Sequence, residues 1–238
     1  MNIIDFLTPK SKPFYDHIIS IIQKLNEYQQ KVELRKLPDN LECNIVIFGG
    51  FIRDLIFHYF EYQKNEDVEF IKPKDIDTWF HYKSPRDDEY HKFSHSMTSW
   101  IRYLRALNEI MRYHSEYDVV SGLSGYSFSE DIAKYCTCTM EIDEIKFDMC
   151  TNINNFSGKA FTKFKNLSDF TVNNLYIDIN GQLNKRIDCS NYTIDDCIED
   201  IKNKKLHNIY IVPNEEEYSM INRFDKREKK MLEYGYVY

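Results

Sequence analysis

The run Cys43-Asn44-Ile45-Val46-Ile47-Phe48 ends in Gly49-Gly50 and passes without a spacer into Phe51-Ile52-Arg53-Asp54-Leu55-Ile56. A short apolar run, a glycine pair and then apolar residues at helical spacing read as buried strand, tight turn and amphipathic helix. Glycines at that junction let backbone N–H groups approach a ligand closely. The new helix N-terminus adds the positive end of a dipole, so the geometry suits phosphate. Downstream, Asp75-Ile76-Asp77 places two carboxylates at i and i+2 on a short strand, where period-2 geometry points both to one face. Such a pair suits Mg²⁺, which takes oxygen ligands and completes its shell with water and substrate phosphates. Taken singly, the pieces are a tight turn and a solvated strand edge. In this order they suggest nucleotide chemistry.

The rest of the chain reads as an α/β alternation. Phe14, Ile18, Ile21, Ile22, Leu25 and Tyr28 recur at helical spacing and predict a helix over 13–35, with Pro13 in its first turn. Strand 43–48, helix 51–63 and strand 75–82 follow. Lys83 to Ser94 is polar, contains Pro85 and reads as a loop. Met97, Ile101, Leu104, Leu107, Ile110 and Met111 predict a helix over 96–114. Strands 134–142 and 145–151 flank Asp143-Glu144 as a hairpin. A second hairpin pairs 174–179 with 182–187, and Asn180-Gly181 predicts a type I′ turn between them. Helices over 193–204 and 215–234 bracket a strand at 206–212. The expected architecture is α/β (α+β), a mixed sheet of about five strands flanked by helices.

Composition narrows the classes. In 238 residues, 42% apolar and 15% aromatic side chains supply a sizeable core, so global disorder is excluded. Cysteines 43, 136, 138, 150, 189 and 197 lack zinc-type spacing and read as small buried hydrophobes, as expected of a reducing, cytoplasmic compartment. No apolar run approaches membrane-spanning length, and the N-terminus does not read as a signal peptide. A net charge of −7 argues against a broadly basic nucleic-acid surface. Local basic groups stand at Lys159, Lys163 and Lys165, at Lys202, Lys204 and Lys205, and at Lys226, Arg227, Lys229 and Lys230. Acids interleave the last group, which reads as a solvated helix face. His81, His91 and His95 show no ligand pattern.

Gly49, Gly50, Ile52, Arg53 and Asp54, with Asp75 and Asp77, resemble the Gly-Gly-x-Val-Arg-Asp and Asp-x-Asp signature of one family. It is the head domain of CCA-adding enzymes and bacterial poly(A) polymerases, within the DNA polymerase beta-like nucleotidyltransferase superfamily. Asp169-Phe170-Thr171-Val172-Asn173-Asn174-Leu175 is similar to its Arg-Arg-Asp-Phe-Thr-Ile-Asn-Ala-Leu element. Residues 200–207 resemble a later Asp-Leu-Lys-Asn-Lys-x-Ile-Arg element, and Arg223 to Tyr236 a first neck helix. The resemblance covers roughly 43–238. It implies an N-terminal helical segment 1–42, a nucleotidyltransferase domain 43–212 and a neck-like helix 213–238.

It also implies a magnesium-dependent transfer of a nucleoside monophosphate from a nucleoside triphosphate to a hydroxyl, with two ions and release of pyrophosphate. Asp75 and Asp77 would hold both ions. Asp148, the lone acid on apolar strand 145–151, falls where the resemblance expects a third carboxylate, although pairing with Lys146 is an alternative. Gly49 and Gly50 amides would hold the β- and γ-phosphates, and Arg53 would support them or meet Asp54. An i,i+1 pair does not face itself along a helix, so another partner for Arg53 is expected. Asp169 and Asn173 would contact the ribose or neighbouring backbone, or Asp169 would cap a short helix, and Arg223 would meet the base or a phosphate.

Departures shape the expected activity. Leu167 and Ser168 stand where the family carries two arginines, and Met220 where the neck carries a base-reading Asp. The residues after the neck-like segment are too few for the domains that grip tRNA. Loose base selection without CCA synthesis is therefore expected. The acceptor classes implied are an RNA 3′ end, a protein side chain or a small molecule. The alternative reading is a non-catalytic module of the same fold that binds nucleotide or a partner protein.

Overall fold

Strand β1 (Glu42–Phe48) is apolar from Ile45 to Phe48 because both its sides are covered there: Ile45 and Ile47 belong to one buried cluster, Val46 and Phe48 to another. The computed structural model describes residues 1–32, 42–83, 97–128, 135–152, 170–185, 191–209 and 218–238. Strands β2 (Asp75–Lys83), β3 (Ser124–Phe128), β4 (Tyr135–Ile142), β5 (Ile145–Asn152), β6 (Leu175–Ile177) and β7 (Leu183–Lys185) join β1 in one mixed sheet of order β3-β4-β5-β2-β1-β6-β7. Its β2–β5 pair is parallel and the other pairs are antiparallel.

Five helices flank the sheet: α1 (Lys12–Gln29), α2 (Gly50–Lys64), α3 (Met97–His114), α4 (Ile194–Asn203) and α5 (Tyr218–Glu233). The sheet's alternation sorts its residues into two layers. Ile76, Phe80, Phe147 and Met149 pack with Ile18 and Leu25 of α1, Ile52 and Leu55 of α2, and Leu104 and Leu107 of α3. Each such side chain contributes about 1.5–3 kcal/mol by leaving water. Among the described residues, the opposite face carries the small buried cluster Val46, Phe48, Trp79 and Cys150, with Tyr176 packed against it.

The first helix shares the main core rather than forming a separate layer, since Phe14 to Tyr28 and Ile45 belong to one cluster. Its docking has a polar key. Asn26 Nδ2 donates to the Ile45 carbonyl at 3.0 Å, and Asn26 Oδ1 accepts from the Ile45 N–H at 2.7 Å. Both backbone groups lie on the side of β1 away from β2, where β6 pairs only with Ile47 and Phe48. The amide thus completes a ladder that β6 is too short to reach.

Several expectations are corrected. Among the described residues the sheet has seven strands rather than about five: both expected hairpins join the one sheet, and Ser124–Phe128 adds an edge strand with no alternation strong enough to read. Helix α1 ends at Gln29, short of 35, and 33–41 lie outside the described residues. Among the described residues, 206–209 form no strand, only isolated bridges at Lys205 and Asn208. The two hairpin turns exchange roles. Asn180 keeps a negative φ and Gly181 alone is left-handed, because Asp178 Oδ1 accepts from the N–H groups of both Asn180 and Gln182. That is a type I turn with a glycine bulge. The left-handed pair is Asp143 (φ 50) and Glu144 (φ 64), joining Ile142 directly to Ile145. Asp143 is held there by the Asp118 N–H on Oδ1 at 2.7 Å. Of the predicted loop 83–94, Lys83 is the last residue of β2 and 84–94 lie outside the described residues, as do His91 and His95 and the side chain of His81.

Asn26→Ala removes two hydrogen bonds to one buried stretch of strand and leaves an N–H and a C=O unpaired. The expected loss is roughly 2–3 kcal/mol of unfolding free energy. Urea denaturation checks it; a loss below about 0.5 kcal/mol would mean that water replaces the amide at no cost.

Candidate functional site

The polar face of the sheet collects the acids. Asp75 and Asp77 alternate with Ile76 and Thr78, which are fully buried on the helical side. The parallel register makes Asp77 and Asp148 direct Cα partners, so Asp148 shares the face of the Asp75–Asp77 pair. The Asp148 carboxylate, however, accepts the hydroxyl of Thr139 at 2.7 Å. Thr139 is its Cα partner on β4, on the side of β5 away from β2. Lys146, the expected alternative partner, is exposed beside Asp75 in register. Among the described residues no three His, Cys, Asp or Glu side chains converge to hold a metal ion.

Above these acids β1 turns into α2. Gly49 takes φ 72 and ψ −128, a conformation essentially confined to glycine. A Cβ there would lie 3.5 Å from Asp77 Oδ2, so the missing side chain also keeps the carboxylate uncovered. The expected phosphate-binding roles of Gly49 and Gly50 separate here. The Gly49 N–H donates to the Leu175 carbonyl at 3.1 Å, pinning the turn to β6, and cannot also serve a ligand. Its carbonyl receives the Arg53 N–H at 3.2 Å, so the N–H groups of Gly50, Phe51 and Ile52 are those that helical geometry leaves without an intrahelical acceptor.

Arg53 takes the Asp54 partner that helical spacing disfavours and has the further partner that was expected. Its side chain is buried and does pair with its neighbour: Nε and Nη2 both reach Asp54 Oδ1 at 2.8 Å. The bent fork brings together groups whose Cβ positions diverge. Nη1 donates to Asn173 Oδ1 at 3.0 Å and contacts Met231 Sδ at 3.4 Å. One guanidinium thus ties α2 to the 3-10 turn Thr171–Asn173 and to α5. Burial pushes the Asp54 carboxyl above its ordinary range, against the opposing pull of Arg53, with smaller effects of Lys230 downward and Asp75 upward. Asn173, expected at a ribose, is the oxygen that orients Arg53. Asp169 lies outside the described residues, as does the Arg223 side chain.

A cavity of about 840 Å³ opens over this arrangement. Its floor is the Gly49-Gly50 turn with Asp75 and Asp77; segment 65–74 makes one wall and α5 another. From α5 come Arg227, Lys230 and Met231, and from just past its end Tyr234, spaced three and four apart, while Lys226 and Lys229 are exposed outside the cavity. The expected solvated basic face holds for Lys230, which is exposed, and Arg227 is part-exposed, but these two also border the cavity. The signal was their spacing with Met231 and Tyr234, obscured by the intervening lysines. Lys72 and Lys74 also line the cavity and carried no sequence signal. No family model matches the chain, and no curated protein matches it.

Arg53→Met keeps the volume but leaves Asp54 and Asn173 Oδ1 without their donor, at an expected cost of roughly 2–3 kcal/mol. The Asp54 carboxyl, already raised, then rises further. A raised folded-state carboxyl favours folding while it is protonated and loses that contribution as pH climbs through its folded range. The deficit against the unmodified protein should therefore be smallest near pH 4 and grow toward pH 7, as urea titrations at several pH values would show. A deficit independent of pH would separate Asp54 from the effect.

Proposed function

We propose that this chain is a magnesium-dependent nucleotidyltransferase that moves a nucleoside monophosphate from a nucleoside triphosphate to a hydroxyl acceptor. The observation that carries the reading is the shared mouth of Asp75, Asp77 and the start of α2, kept open by a glycine whose Cβ would stand 3.5 Å from Asp77 Oδ2. A cavity of about 840 Å³ is within the range of small-molecule sites. The donor set fits magnesium: two carboxylates on one strand face, with room for phosphate oxygens to complete the shell.

Asp75 and Asp77 would hold the metal, which when bound lowers the pKa of an attacking hydroxyl and offsets charge on the leaving pyrophosphate. The N–H groups at the start of α2 would donate to the terminal phosphates, aided by the helix dipole. Asp148, beside Asp77 in register, would join the pair once it gives up the Thr139 hydroxyl. The acceptor would be an RNA end, a protein side chain or a small molecule.

The engagement of Asp148 by Thr139 favours a second reading, a module that binds nucleotide without transfer. Pyrophosphate release measured with each of the four nucleoside triphosphates, with and without Mg²⁺, separates the two. Nucleotide binding without any release on every acceptor class would select the module.

Asp75→Ala/Asp77→Ala is expected to lower pyrophosphate release by about three orders of magnitude, the worth of several kcal/mol of charge stabilisation, with little change in thermal unfolding. Retained activity in this variant would end the transferase reading. On a tRNA lacking its terminal CCA, incubation with CTP and ATP is expected to restore no CCA end, because Met220 cannot accept a hydrogen bond from a base edge. Sequencing of the product ends checks this, and ordered C, C, A addition would refute it.

A further inference from the structure

We infer that the C-terminal helix α5 supplies the cations for the polyphosphate of the bound nucleotide, through Arg227 and Lys230. The inference rests on the reading of the cavity as a nucleotide site and adds which side chains meet the charge.

Four observations lead there. The buried guanidinium beside the phosphate-type turn is already engaged: Arg53 spends Nε and Nη2 on Asp54 and Nη1 on Asn173 and Met231. Its charge is largely answered before any ligand arrives. The opposite wall carries Arg227 and Lys230 on one face of α5, three residues apart, and both line the cavity with the Gly49-Gly50 turn and Asp75. Lys230 also lies within electrostatic reach of Asp54, which in turn feels Asp75, so the three span the cavity from helix to strand. Finally, six cations line the cavity against five carboxylates in a chain whose net charge is −7.

The wall is fixed in place. Met231 is buried against Arg53, Tyr236 is buried beyond the helix end, and Lys204 Nζ donates to the Tyr234 carbonyl at 3.0 Å. Two cations on a helical wall and two carboxylates on the floor give the cavity a cationic side and an anionic base. A triphosphate bridged to Asp75 and Asp77 by a divalent ion would present its remaining oxygens to that wall, where guanidinium and ammonium bind them as charge-assisted donors. A monophosphate is too short to reach from floor to wall, so the helix should discriminate by phosphate number.

The test is titration calorimetry with Mg²⁺ and, in turn, ATP, AMP and inorganic tripolyphosphate. Arg227→Gln/Lys230→Gln should weaken ATP and tripolyphosphate by about tenfold or more, as expected for the loss of two charge-assisted contacts, and AMP by less than about twofold. Lys226→Gln/Lys229→Gln, with the same charge change off the cavity face, should leave all three within about twofold. Equal weakening in both variants would reduce the effect to net charge and overturn the inference. So would unchanged ATP affinity in the first variant while the unmodified protein binds ATP. If the unmodified protein bound none of the three, the nucleotide reading itself would fall. Matching thermal unfolding of the variants excludes a trivial loss of α5.

Discussion

The guanidinium of Arg53 is the constraint on which the site depends. It is buried, it arises from the first turns of α2, and it reaches a carboxylate on its own helix, an amide oxygen 120 residues away and a methionine sulfur 178 residues away. A buried cation is costly unless its donors are met, so its partners must hold their positions wherever the chain folds. Those partners are the elements that enclose the cavity: the α2 face, the Thr171–Asn173 turn and α5. The residue that sequence reasoning sets against phosphate instead sets the distance between the walls around it.

The sheet divides its labour between its faces. One is covered by helices through large apolar side chains such as Phe80 and Phe147, and contributes most of the burial. The other carries, among the described residues, the buried apolar cluster Val46, Phe48, Trp79 and Cys150 in a strip across β1, β2 and β5. Asp77 and Asp148 continue that face on β2 and β5. The strip gives the carboxylates a low-dielectric flank without enclosing them, and a charge beside such a flank interacts more strongly with a ligand than one in open water.

Much of this was legible in the chain. The β1–Gly49–α2 junction, the Asp75–Asp77 pair, the 145–152 strand with its single acid and most helix positions follow from period and glycine placement. What escaped depended on specific partners, one of them local and the others distant in sequence. Asp178 Oδ1 holds a turn that overrides the Asn-Gly preference, while strand pairing, with the Asp118 N–H on Asp143, holds two non-glycine residues left-handed at 143–144. Arg53 meets Asp54 because Asn173 and Met231 bend the guanidinium back over its own helix. Gly49 loses its N–H to β6, a strand more than a hundred residues downstream. Apart from the Asp178 contacts, which are two and four residues along the chain, none of these is a local property, and spacing along the chain carries no record of them.

The reach of such partners extends one shell further, to α4. Asp200 is buried near the end of α4 and accepts both the Thr171 hydroxyl at 2.6 Å and His207 Nδ1 at 2.7 Å. Thr171 opens the 3-10 turn that ends at Asn173, so the carboxylate fixes the turn that presents the amide oxygen to Arg53. Two hydrogen bonds and one turn of backbone therefore connect a helix that does not line the cavity floor to the cation that spaces its walls. Because His207 is half exposed and Asp200 is not, solvent meets this chain of contacts only at its histidine end. The turn is thus held from a dry interior, and the geometry of the cavity is set by buried polar groups with specific partners rather than by the lining side chains alone.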